Sequence, residues 1–194
     1  MYVQVAFRRL FYGLMLVLFD FRIQSLDILP DFIGYGLVVS ALAKLSEIHL
    51  HFNKARIFAI FLLLTSFLDL FADPSTNMSS LVPSDTTVQP MIFSAIAGIF
   101  RMFMIYYLCE GIRESALPNY ESLAASAKLS KNVFLVVNYL WLFLMPFSLN
   151  VSRQIFSLEM LLLIPVFIAE IMLIGLVHRA GRELERGFES TSDY

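Results

Sequence analysis

Residues 91–109 read MIFSAIAGIFRMFMIYYLC, nineteen positions that carry one charge, Arg101. At 1.5 Å per residue such a stretch makes a helix about 28 Å long, close to the thickness of a bilayer's hydrocarbon layer. Outward from it, residues 133–149 and 155–177 are likewise long, apolar and bounded by polar turns, and 57–71, 30–45 and 7–21 approach the same condition. The expected fold is all-α: one transmembrane domain over residues 1–194, a polytopic integral membrane bundle of about six helices whose first two form a short hairpin.

Composition agrees. Of 194 residues 58% are hydrophobic, 14% aromatic and 15% charged, and the mean hydropathy is +0.73. A soluble domain is about 45–50% apolar and about 25% charged, and nineteen Phe with nine Met exceed what one water-facing globule hides. A soluble enzyme, a disordered chain, a collagen-like fibre and a disulfide scaffold are excluded. The formal charge of −2 lacks the basic excess that phosphate backbones require, so nucleic acid is not an expected partner. The one cysteine, Cys109, supplies neither a disulfide nor a thiolate cluster and reads as a small apolar residue inside a helix.

Basic residues orient the spans. With six spans, one side receives Arg8, Arg9, Lys44, Lys54, Arg56, Arg113, Lys128, Lys131, Arg179, Arg182 and Arg186, and the other only Arg22 and Arg153. Both termini are therefore expected in the cytoplasm, in a multi-pass cell-membrane protein. The same count results from four spans plus a re-entrant first hairpin. The first segment has a short apolar run after Arg8 and Arg9, as a signal peptide does, but Asp20, Arg22 and Asp27 follow in place of a small-residue cleavage site, which reads as a retained helix.

The connections carry local signals. Asp27 is placed to cap a helix that has Pro30 in its first turn and Asp31 at the positive end of its dipole. Residues 73–90, with Pro74, Pro83 and Pro90 and no basic residue, read as an irregular outer loop. Residues 110–131 read as an inner elbow in which Asn119 caps a short helix with Tyr120, Leu123, Ala124 and Ala127 on one face. Pro146 and Pro165 interrupt the fifth and sixth spans, and 178–194 form a polar cytoplasmic tail. His49 and His51 fall in an inner loop as interfacial histidines, and Asn138 is placed to hydrogen-bond across helices.

Charges inside spans are costly and mark either a buried pair or a site. Measured from the outer helix ends, Arg101 lies about 15 Å deep and Glu170 about 22 Å deep, an offset two long side chains bridge. An interhelical ion pair is expected, with Arg101 to Glu159 as the other pairing. The outer boundary gathers Asp20, Asp27, Asp31, Asp69, Asp73, Asp85 and Glu159. Candidate ligand-binding residues are thus Arg101, Glu170, Asp20, Asp69, Glu159, Asp27 and Asp31. No HExxH, GxSxG or glycine-rich phosphate loop occurs, so no catalytic residue, metal or cofactor is assigned.

The run Phe19-Asp20-Phe21, followed by Leu26-Asp27-Ile28-Leu29-Pro30-Asp31-Phe32-Ile33-Gly34-Tyr35, resembles a motif of small membrane proteins of Gram-positive bacteria. That resemblance implies bacterial origin and membrane location and no activity. In size and span count the chain also looks like the substrate-binding S components of energy-coupling-factor transporters, although their small-residue pattern on the first helix is absent, Gly13 standing among Leu, Met and Val. The function expected is a non-enzymatic membrane protein that binds a small ligand or a partner membrane protein, as a transport accessory or substrate-binding component. The alternatives are an enzyme acting on a lipid or isoprenoid through Asp20, Asp27, Asp31 and Asp69, and a structural or immunity-type subunit.

Overall fold

Where water is scarce, a helix satisfies every backbone N–H and C=O within one segment, and the apolar runs of this chain fold accordingly. The computed structural model describes residues 2–18, 22–23, 26–27, 31–69, 88–117, 119–146 and 153–192. Among them are six helices, α1 (Tyr2–Leu18), α2 (Asp31–Leu45), α3 (Leu50–Asp69), α4 (Val88–Ala116), α5 (Glu121–Leu144) and α6 (Arg153–Ser192). Between α1 and α2 a minimal antiparallel ladder joins β1 (Arg22–Ile23) to β2 (Leu26–Asp27), pairing Arg22 with Asp27. Three stretches are long and apolar enough to cross a membrane, Leu50–Phe67, Ile92–Ala116 and Leu163–Glu185, as befits an integral membrane protein.

Each helix packs on its neighbours in sequence and α6 returns to α1, so the six form a closed ring. Specific contacts make every neighbouring pair antiparallel. Phe32 of α2 meets Phe67 near the far end of α3. Phe52 lies against Gly111, and Phe58 stacks on Phe103 further along the α3 and α4 pair. Lys131 of α5 reaches Glu110 of α4 near one end, while Leu142 approaches Gly98 near the other. Arg179 of α6 donates to Ser126 and Ser122 of α5 at 3.2 and 3.0 Å.

Two close approaches set the seams of α1. A Cβ on Gly13 would stand 2.8 Å from the Gly34 carbonyl oxygen and 2.9 Å from Val38, and one on Gly34 would stand 2.7 Å from Val17. Hydrogen alone at both positions lets the α1 and α2 backbones touch, which is how helices gain dispersion contact when lipid removes the hydrophobic drive. On the other flank, Gly181 of α6 accepts the Phe7 Cβ in the same way. Phe7, Leu10, Leu42, Leu45, Phe52 and Phe134 are fully buried between helices. Ile60, Leu64, Phe103, Val136 and Ile171 face outward, an apolar exterior that water would penalise and lipid accommodates.

Several local expectations are corrected. Asp27 does not cap α2, because it sits in β2 and the helix begins four residues later at Asp31. Asn119 caps no separate short helix. The Asn119 and Tyr120 amides both return to the Ala116 carbonyl, so Tyr120 supplies the first helical carbonyl, without a side-chain cap. The 110–131 elbow is thereby absorbed into α4 and α5, and Leu123, Ala124 and Ala127 face the core. Pro90 lies in the first turn of α4, where its missing N–H costs nothing, and 73–87 of the outer loop lie outside the described residues. α5 ends at Leu144 and Met145 and Pro146 form a 3₁₀ turn, so Pro146 terminates that helix, whereas Pro165 lies within α6.

The 178–194 tail is helical to Ser192, and Ala180, Leu184 and Glu185 are buried in the ring. Asn138 donates to the Phe134 carbonyl of its own helix at 2.9 Å, a back-bond that replaces the expected interhelical one. His49 precedes α3 and caps it: its Nδ1 accepts the His51 amide at 3.3 Å and its carbonyl accepts the Phe52 amide at 3.1 Å. That places the two imidazoles in a stack at 5.0 Å, with Tyr107 beyond His51 at 6.1 Å.

Candidate functional site

Arg101 stands in the middle of α4, where a full turn in either direction is apolar. A guanidinium in that setting needs an anionic partner, and α6 supplies Glu170, whose Oε1 lies 2.8 Å from the Arg101 terminal nitrogen. The pair is the interhelical one expected from helix depths, and the alternative partner Glu159 is on α6 more than two turns earlier, its side chain outside the described residues. The two members differ in access: Arg101 keeps 27% of its side chain exposed and Glu170 only 5%. Both members line one hollow, and the Arg101 side chain is the less buried of the two.

That hollow has a volume of about 500 Å³ and is bounded by Val17 and Leu18 of α1, by Arg101, and by Val166, Phe167 and Glu170 of α6. The volume falls within the range of small-molecule sites, about 300–1,000 Å³. Among the described residues the wall is apolar apart from the ion pair, and its α6 side is built from residues such as Ile164 and Phe167 that also reach the bundle exterior. A guanidinium has five N–H donors, and one carboxylate engages two at most. Arg101 thus retains donors for an acceptor group on a molecule held in the cavity.

From α2, Tyr35 and Asp31 lie close enough to Arg101 to interact with it electrostatically. Tyr35 is buried. Sequence reasoning overlooked it, although it stands one turn after Asp31 on the same helix face, the spacing at which side chains meet. Of the acidic rim, Asp31 is the member whose side chain is described, and it lies toward the pair. Asp20 lies outside the described residues, as do the side chains of Asp27, Asp69 and Glu159. Among the described residues no three His, Cys, Asp or Glu side chains converge as metal ligands.

A second charged group was missed because 110–131 had been read as a connection. Glu110, buried in α4, is engaged by Lys131 of α5 and by Arg113 at 3.1 Å, and Lys131 also lies over the Tyr106 ring at 5.0 Å. Glu110 is held from both helices, which makes the group a clasp between α4 and α5 and leaves the Arg101 hollow as the candidate site. A family model, a curated protein or a solved structure that matches the chain was sought, and none does.

Proposed function

We propose that the chain is a non-enzymatic, six-span membrane protein, both termini cytoplasmic, that binds a small ligand in the open hollow lined by Arg101 and Glu170, as the binding component of a transport system. The observation that carries this reading is an open, largely apolar hollow of about 500 Å³ lined by both members of a buried ion pair. A purely structural pair would pack solid; an enzyme would require a nucleophile or a converging set of carboxylates.

Six spans are supported by the ring itself. α1 and α2, about 26 and 23 Å long by helical rise, are short for a bilayer. Yet α2 runs beside α3 as far as Phe67, the last residue of a candidate span, so the hairpin reaches the outer end of α3. In right-side-out vesicles of a Cys109→Ser background, a membrane-impermeant maleimide is expected to label a cysteine placed at Thr86 and to leave one at Ser126 unlabelled. Labelling at Ser126 and protection at Thr86 would reverse the orientation.

Ligand binding is tested by native mass spectrometry of the detergent-purified protein, in which a bound small molecule or lipid is expected. Val166→Trp, which fills the cavity, is expected to remove that mass and to shift the thermal midpoint by less than a cavity-forming core change would. A clean apo mass from the unaltered chain overturns the proposal.

A further inference from the structure

At the opposite end of α1 from the Arg101 cavity, its seam with α6 opens into a second hollow of about 170 Å³. Arg8 and Gln4 of α1 border it on one side, Arg182 and His178 of α6 on the other, and Phe7 and Phe11 form its apolar floor. The tight fit of Phe7 against Gly181 holds the two helices together here, and His178 lies against the Phe11 ring at 5.4 Å. Two arginines therefore border one small hollow. Neither makes an ion pair among the described residues, although Arg179, one turn before Glu183, is paired at 2.6 Å. Both arginines are exposed, at the end of the ring that also carries Lys54, Arg113 and Lys131.

Two arginines bordering one hollow offer converging donors to an anion, and guanidinium groups bind phosphate oxygens in pairs of parallel hydrogen bonds. A basic hollow between membrane helices, at the level where they leave the hydrocarbon, has the chemistry of a phospholipid headgroup site. We propose that Arg8 and Arg182 hold the phosphodiester of one anionic phospholipid, with Gln4 and His178 as further donors and the Phe11 side of the seam against the acyl chains. The apolar floor favours a lipid over free phosphate.

The experiment is titration of the detergent-purified full chain with phosphatidylglycerol or phosphatidylcholine, read by native mass spectrometry. One phosphatidylglycerol is expected to remain bound at an affinity about thirtyfold above phosphatidylcholine, two basic contacts at a membrane surface being of that order. Arg8→Gln with Arg182→Gln is expected to abolish the preference while leaving the helical circular dichroism unchanged, because both side chains are exposed. Arg9→Gln with Lys128→Gln removes the same charge elsewhere and is expected to keep it. Equal retention of the two lipids, an unaltered preference in the Arg8 and Arg182 variant, or an equal loss in the control variant overturns the site. Displacement of the lipid by millimolar inorganic phosphate overturns the lipid as its occupant.

Discussion

Arg101→Leu is expected to destabilise the protein by about 3–5 kcal/mol, the usual cost of removing one member of a buried ion pair and leaving the other uncompensated. Glu170, at 5% exposure, loses the charge that offsets its burial once the guanidinium is gone. Glu170→Leu is expected to cost a comparable amount for the complementary reason. The double variant, Arg101→Leu with Glu170→Leu, removes both charges and is expected to regain most of the loss, since apolar replacement of a buried pair is often neutral or better. Thermal unfolding in detergent measures the cycle. If the double variant is as unstable as the singles, the pair does not act as a unit. Binding separates structure from function: the double variant is expected to fold and to lose the cavity ligand, whereas a merely structural pair would leave the ligand mass in place.

Gly13→Leu is expected to be the most damaging change in α1. Even a methyl at Gly13 would meet a backbone oxygen of Gly34 at 2.8 Å and the Val38 amide nitrogen at 3.0 Å, and backbone yields far less readily than a side-chain tip. Gly13→Ala is therefore expected to cost about 1–3 kcal/mol, and the leucine variant more, by forcing α1 off α2. Gly36, on the same helix as Gly34, has open space around it. Gly36→Ala is expected to be silent or slightly stabilising, as alanine is the better helix former by about 1 kcal/mol. Comparable losses at Gly13 and Gly36, read as the fluorescence-detected elution yield of a tagged protein, would show that the glycine contact does not determine how α1 seats.

These two changes act on different links of one chain of causes. Gly13 decides how closely α1 approaches α2, and thereby where Val17 and Leu18 stand as the α1 wall of the cavity. Arg101 and Glu170 decide the register of α4 with α6 and the polarity at the cavity's inner surface. A third change, Val166→Trp, tests the empty volume itself.

Much of this was legible in one dimension. Hydropathy along the chain determines that it is a helical membrane protein, since segments of low charge and sufficient length need a helix in lipid whatever their neighbours are. The axial positions of Arg101 and Glu170 also follow from the sequence, because helical rise is fixed at 1.5 Å and depth is a matter of counting. Element ends were read less well. Asn119 and Asp27 have the chemistry of caps, yet the Ala116 carbonyl and the β1 and β2 ladder claim those segments, by hydrogen bonds that composition does not reveal.

What the tertiary structure alone decided is rotation and closure. Apolar residues on nearly every side of α2 and α4 leave almost no periodic signal for which side faces inward, so Tyr35 and the Arg101 hollow could not be read from spacing, and only the seam of α1 with α6 brings Arg8 and Arg182 to one hollow. They arise because α6 returns to α1 and because glycine contacts at Gly13, Gly34 and Gly181 lock the angle of each helix about its axis. Lipid solvates every apolar face about equally; steric fit between particular side chains, and the buried ion pair, choose among the faces.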